Sequence, residues 1–309
     1  MKLPRVYHPD YSIRWSPVHR FPMSKFHALY QGLLAEGLAA ADDFHVPEPV
    51  SRETLFRVHQ KDYVERFFSG DLEPRAVREI GLTWSQALVR RTRLEVGGTV
   101  LAAKLALAHG LACQTAGGTH HAFPAKGSGF CVLNDLAVAA RWALDRGLAK
   151  RILILDLDVH QGDGTAFIFR EEPAVFTCSI HCERNFPVRK QRSDLDIGLP
   201  RGVRDDTYLG TLEKTLTDLA GRIQPDLVFY DAGVDVHESD RLGHLSLSDE
   251  GLFARDLMVL TYFARKGWPV AGVIGGGYAH DIAELTNRHA QLHRAAGLVW
   301  QSHFVKASA

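Results

Sequence analysis

The chain has 309 residues, of which 46% are hydrophobic, enough to bury a large core in two average domains or one large α/β domain. Lys plus Arg and Asp plus Glu number 36 each, so the formal net charge is zero and nothing in the composition favours a nucleic-acid or anionic-membrane partner. No apolar run approaches the ~18 residues of a membrane span, and the start, MKLPRVYHPDYSIRW, has no signal-peptide core, so a soluble cytoplasmic protein is expected.

In chain order, the apolar spacing predicts helices over Ser24–Ala40, Ser85–His109 and Leu133–Asp145. From there short β-branched runs alternate with helical patterns. Ile152–Leu155, Val175–Ile180, Leu227–Tyr230 and Val270–Ile274 read as buried parallel strands. Asp205–Arg222, Ser248–Lys266 and a segment around His280–Arg294 read as helices, with Asp205 or Asp206 and Ser248 as N-caps. This alternation predicts an α/β fold: a three-layer α/β/α domain over residues 1–309 with a mostly parallel central sheet. No linker, repeat or composition break divides it. The four cysteines (Cys113, Cys131, Cys178, Cys182) form no C-x-x-C pair and read as buried hydrophobes.

Ligands in such folds gather beyond the carboxyl ends of strands. The first strand of the second half runs into Asp156-Leu-Asp158-Val-His160-Gln-Gly-Asp163-Gly164. In extended chain, alternate residues face the same way, so Asp156, Asp158 and His160 point together. Two carboxylates and an imidazole crowded at one point repel and desolvate one another unless a cation joins them. Leu227–Tyr230 ends in Asp231-Ala-Gly-Val-Asp235, which offers a third oxygen ligand. A divalent metal held by Asp158, His160 and Asp235 keeps a position open for water or substrate. Ligand type alone leaves iron, manganese and cobalt open beside zinc.

Upstream, His120 and His121 follow Gly117-Gly118-Thr119. Asp156 and Asp163 are free to orient one ring each, which fixes the tautomer and raises the basicity of the far nitrogen. That pair supplies a general base and a general acid. Near the end, Gly275-Gly276-Gly277-Tyr278 follows a strand and precedes a helix. A phosphate cradle is one reading, but the loop lies late and misfits a dinucleotide fingerprint. The preferred reading is a loop that brings the Tyr278 hydroxyl to a developing oxyanion, where one such donor contributes roughly 3 kcal/mol.

Together GGTHHAFPAKGSGFCVLND, LDLDVHQGDG, AGVDVHESDRLG and GGGY, in that order between about Tyr7 and Arg294, resemble the zinc-dependent histone deacetylase family with its arginase-like fold. The resemblance implies one zinc per chain on Asp158, His160 and Asp235. It implies an acid–base pair of His120 and His121 backed by Asp156 and Asp163, and Tyr278 as the electrophile that polarises an acyl carbonyl. Gly129 and Phe130 would form one wall of an acyl-lysine channel and Phe186 the other. It further implies a structural potassium ion near Asp156, Asp158 and His160, with Ser179 contributing a hydroxyl. The variant AGVDVHESDRLGHLSLS and the short length are closer to the class IV-like branch and its bacterial relatives. The loop Ile80–Gln86 lacks the acidic residue with which class I members grip a peptide backbone. The expected activity is hydrolysis of an acyl-lysine or an acylated small amine or polyamine. The alternatives are an arginase-type enzyme with two manganese ions and a non-catalytic module that binds a metal or acyl-lysine. The sequence leaves the division of labour between the histidines open.

Overall fold

The computed structural model describes residues 2–16 and 18–305. In chain order its strands are β1 (Arg5–Val6), β2 (Phe44–His45), β3 (Leu111–Gln114), β4 (Ile152–Asp156), β5 (Val175–Cys182), β6 (Leu195–Leu199), β7 (Leu227–Asp231) and β8 (Val270–Val273). Its helices are α1 (Lys25–Ala35), α2 (Arg52–Leu55), α3 (Lys61–Ser69), α4 (Pro74–Ile80), α5 (Gln86–His109), α6 (Asp135–Asp145), α7 (Asp163–Phe169), α8 (Asp205–Arg222), α9 (Asp249–Lys266) and α10 (Ile282–His303). The strands form one sheet in the order β2-β1-β3-β8-β7-β4-β5-β6. Every pairing in it is parallel.

A parallel strand buried on both faces sends alternate side chains into two different cores. Ile152 and Ile154 of β4 and Leu227 and Phe229 of β7 join the alanines of α5 and α6 on one face. Leu153, Leu155, Val228 and Tyr230 point the other way, into a core shared with α1, α8, α9 and α10. Helices thus cover both faces, as the alternating pattern predicts.

All four expected strands form, and so do the six expected helices, with shifted ends. Ser248 caps α9 by accepting from the Gly251 N–H at 3.0 Å. Neither Asp205 nor Asp206 caps α8, whose N-cap is Arg204. The Asp205 carboxylate instead accepts from the Ser248 N–H at 2.9 Å and its hydroxyl at 2.6 Å, bracing the start of α9. α10 runs past Arg294 to His303 because Ala295, Ala296, Val299 and Trp300 extend its buried stripe. Among the described residues no helix is long and apolar enough to cross a membrane. All four cysteines are free and buried.

The four central strands β3, β8, β7 and β4 are neighbours, and each ends just before one of the motif loops. The chemistry is therefore gathered at one edge of the sheet.

Candidate metal centre and cleft

β4 stops at Asp156, and residues 158–160 bend rather than continue extended. The cause is local. Asp156 Oδ1 accepts from the Asp158 N–H at 3.1 Å, and Asp158 Oδ1 from the His160 N–H at 2.9 Å. Such side-chain turns compete with the strand ladder. Asp156 consequently does not point with Asp158 and His160, as an extended chain would require. Asp158 and His160 turn toward Asp235 from the end of β7. The three offer ligand atoms within 4.8 Å of one another, and all are buried.

Backbone groups hold these side chains. The Val159 N–H donates to Asp235 Oδ1 at 2.8 Å, and the Gly276 N–H to Asp158 Oδ2 at 2.8 Å. His160 Nδ1 lies 3.0 Å from Asp158 Oδ1 and 3.1 Å from Asp235 Oδ2. Burial works to lower the His160 pKa, but the two carboxylates outweigh it and raise it to about 10. Burial and the charge of Asp158 push Asp235 up to about 6. Two carboxylates and an imidazole nitrogen aimed at one point form a donor set that fits a divalent cation such as zinc. Gly276 fits it too, since a Cβ there would press on both carboxylates.

The Gly117–His121 loop is positioned by a second network. Gly118 has φ of +89°, and a Cβ on it would come 2.6 Å from Gly275 Cα and 2.7 Å from Asp231 Oδ1. Only glycine allows the two loops this approach. Asp135, at the start of α6, accepts from the Gly118 N–H at 3.1 Å and the Thr119 N–H at 2.7 Å, and from the Thr119 hydroxyl at 2.6 Å. So clamped, His120 Nδ1 lies 2.7 Å from Asp156 Oδ2 and His121 Nδ1 2.7 Å from Asp163 Oδ1. The two Nε2 atoms are 3.2 Å apart.

The two rings are electrostatically unequal. For His120, burial is outweighed by Asp156 and Asp158, with a smaller push from Asp231, and its pKa lies well above the ordinary value. For His121, burial and the neighbouring His120 prevail over Asp163 and lower it to about 4.

Tyr278 is buried, its phenol pushed well above its usual pKa by burial and by Asp235. Its hydroxyl therefore keeps its proton at neutral pH. The Tyr278 N–H donates to Asp240 Oδ2 at 2.7 Å, and Asp240 Oδ1 accepts from Leu242 and Gly243 at 2.8 and 2.9 Å. Behind the glycine loop, the buried ammonium of Lys25 donates to Gly275 O at 3.1 Å. Arg255, also fully buried, donates to Gly233 O at 2.6 Å and Ala232 O at 3.2 Å, beside Asp235.

A cleft of about 560 Å³ opens onto this floor, with His121, His160, Gly129, Phe130, Phe186 and Tyr278 among its lining residues. Phe130 has φ of +66°, strained for a non-glycine residue, and is fixed there by its N–H to Ile80 O at 2.8 Å. Its ring centroid is 5.8 Å from that of Tyr278. Phe186 meets His121 edge-on at 4.9 Å. Ser179 lies outside the cleft lining, opposite Asp156 in the β4–β5 register with its hydroxyl 3.0 Å from His181 Nδ1.

One group was not singled out by sequence. His120, Asp156 and Asp231 form a second set with ligand atoms within 4.8 Å. Asp231 is fully buried, and neither of its oxygens has a hydrogen-bond partner. Asp135, Asp240, Lys25 and Arg255 were also missed. Only the Asn134-Asp135 helix start carried a local signal.

A donor set that fits a cation beside carboxylate-backed imidazoles is an arrangement with which hydrolases can activate water. Residues 19–293 match the model of the histone deacetylase domain, and the chain belongs to that family of deacetylase hydrolases. An uncharacterised protein of Picosynechococcus sp. is 57% identical over 96% of this chain and 99% of its own length. Histone deacetylase 2 of Arabidopsis thaliana is 29% identical over 92% of this chain and 76% of its own. An acetoin utilization protein of Bacillus subtilis is 30% identical over 78% and 68%. Among solved structures, a histone deacetylase homologue complexed with SAHA superposes with a TM-score of 0.80 at 26% identity, covering 98% of this chain and 89% of that one. A homologue from Aquifex aeolicus has a TM-score of 0.79 at 24% identity, covering 100% and 92%, a likeness of fold.

Proposed function

We propose that this chain, as one catalytic domain, hydrolyses the amide bond of an acylated amine, either an acyl-lysine or an acylated small amine. One zinc ion is held by Asp158, His160 and Asp235. The observation that carries this reading is the pair of histidines, each 2.7 Å from its own carboxylate and 3.2 Å from the other, beside the three-ligand group.

Zinc bound there supplies Lewis acidity, lowering the pKa of water toward ~7 and polarising the acyl carbonyl. His121, neutral because burial holds its pKa near 4, takes the proton of the attacking water, and Asp163 on Nδ1 stabilises the imidazolium that forms. His120, held cationic by Asp156, steadies the developing negative charge. The Tyr278 hydroxyl donates to the acyl oxygen as it becomes an oxyanion. The imidazolium of His121 then gives its proton to the departing amine. Gly129 and Phe130 on one side and Phe186 on the other hold the alkyl stem of the amine. A potassium ion beside Asp156, Asp158, His160 and Ser179 would brace the end of β4, a reading supported by the Asp156–Ser179 register.

The test is turnover of acetyl-lysine peptides, long-chain acyl-lysine peptides and acetylated polyamines by zinc-loaded, chelator-stripped and reloaded protein. Activity lost on stripping and restored by zinc is expected. No turnover over the panel with zinc confirmed would leave a binding module instead. The set His120, Asp156 and Asp231 gives the binuclear reading its one structural support. Two metal ions per chain on metal analysis would replace the single-ion mechanism.

A further inference from the structure

The chain as a whole is neutral, but the mouth of its cleft is not. Arg20, Arg78 and Lys126 line it, and all three side chains are exposed. Among the described residues no carboxylate lies within ion-pair distance of any of the three. Glu79 is the one acid in the lining, and it is engaged by Arg75 at 3.0 Å. His244 adds no charge at neutral pH, because burial and Arg201 hold its pKa below the ordinary value. The lining therefore carries three cations against one partnered carboxylate.

We propose that the mouth selects acylated amines whose amine-bearing portion carries an anionic group, a carboxylate or a phosphate, and disfavours acylated polyamines. The inference rests on the deacylase reading and narrows it to a substrate class. A polyamine entering the cleft would place its remaining ammonium groups among three cations that no carboxylate neutralises, Lys126 resting over the Phe123 ring at 5.0 Å. An anionic group would meet the same cations with opposite sign, and like-charge rejection discriminates as much as attraction does. Exposed pairs are screened, each worth a factor of up to about five. Two or three acting together in one cleft give about tenfold, largest at low ionic strength.

The experiment compares kcat/KM of the zinc-loaded enzyme on two acetyl-lysine peptides, one flanked by Glu and one by Lys. Free Nε-acetyl-lysine is compared with its carboxamide, and N-acetylputrescine is included. At low salt the Glu-flanked peptide should exceed the Lys-flanked one by about tenfold, and 0.5 M salt, about 4 Å of screening length, should remove most of that difference. The Arg78→Glu/Lys126→Glu variant should reverse the ranking, and the ratio within one variant cancels any general loss of folding. A preference for free acetyl-lysine over its carboxamide would place the anion in a small molecule. A preference confined to the peptides would place it in acidic flanking residues. Equal rates, faster turnover of the Lys-flanked peptide or N-acetylputrescine, or a ranking untouched by charge reversal would overturn the proposal. Calorimetric affinities of the same two peptides keep the two readings apart. If no peptide is hydrolysed, the affinity ranking still judges the mouth while the deacylase reading fails alone.

Discussion

Metal binding at this centre should release a proton, and His160 is its source. The imidazole Nδ1 faces Asp158 Oδ1 at 3.0 Å and Asp235 Oδ2 at 3.1 Å, and this pair of carboxylates raises its pKa to about 10. In chelator-stripped protein at pH 7 the ring is therefore an imidazolium whose Nδ1 proton occupies the place a cation must take. Removing that proton at pH 7 means crossing about three pKa units, or roughly 4 kcal/mol, a weakening of about a thousandfold relative to the site's intrinsic affinity. Between about pH 6.5 and 9 the apparent Kd for zinc should tighten about tenfold per pH unit. Below about 6, where Asp235 also takes up a proton, the dependence should steepen. Titration calorimetry in buffers of different ionisation enthalpy at pH 7.5 should report about one proton released per zinc. A flat pH dependence with no proton released would mean that His160 is neutral before the metal arrives, and the electrostatic argument would be wrong.

Replacing Tyr278 by Phe should leave zinc content unchanged and lower turnover by about two orders of magnitude; turnover equal to the parent would remove the hydroxyl from the mechanism. His59 accepts from the Asn134 N–H at 2.9 Å through Nε2 and donates from Nδ1 to Phe123 O at 3.0 Å, and burial lowers its pKa to about 4. The unfolded chain thus binds a proton that the folded chain refuses, so this contribution is complete above about pH 6.5 and is lost as pH falls toward 4, by roughly 3 kcal/mol in all. Urea unfolding of the parent and of His59→Gln at pH 7 and 4.5 should show a smaller pH-dependent loss in the variant, and parallel losses would refute it. Arg255→Met should cost about 3–5 kcal/mol, because it strands the Asp256 carboxylate and two backbone carbonyls in the core; a loss under about 1 kcal/mol in a denaturant titration would contradict that.

The parts of this molecule legible in the sequence are those whose cause is local. β4 and β7 are readable because both faces are buried, which leaves an unbroken apolar run ending in an aspartate. β1 and β2 span two residues each, too few to carry a period of two. β6, LDIGL, alternates at the sheet edge without enough apolar residues to stand out. The site divides the same way. Its candidate ligands and its histidines announce themselves by residue type beside glycine. The groups that aim them do not, because their partners are remote in the chain: Asp135 reaches back to Gly118, Arg255 to Gly233, and Lys25 across 250 residues to Gly275.

Asp156 marks where local reasoning brought neighbouring residues together for a partly wrong reason. An extended continuation of β4 would aim its carboxylate with the side chains of Asp158 and His160, whereas the turn at the strand end aims it at His120. One backbone hydrogen bond, Asp158 N–H to Asp156 Oδ1, separates the carboxylate that serves a histidine from the carboxylate that faces the cation group. Asp231 occupies the equivalent last position of β7, paired in register with Asp156, but no backbone donor reaches it. Its oxygens stay bare beside His120, and burial together with Asp156 pushes its carboxyl well above the usual carboxylate range. The asymmetry of the two histidines therefore originates mainly at the end of β4, where Asp156 and Asp158 face His120.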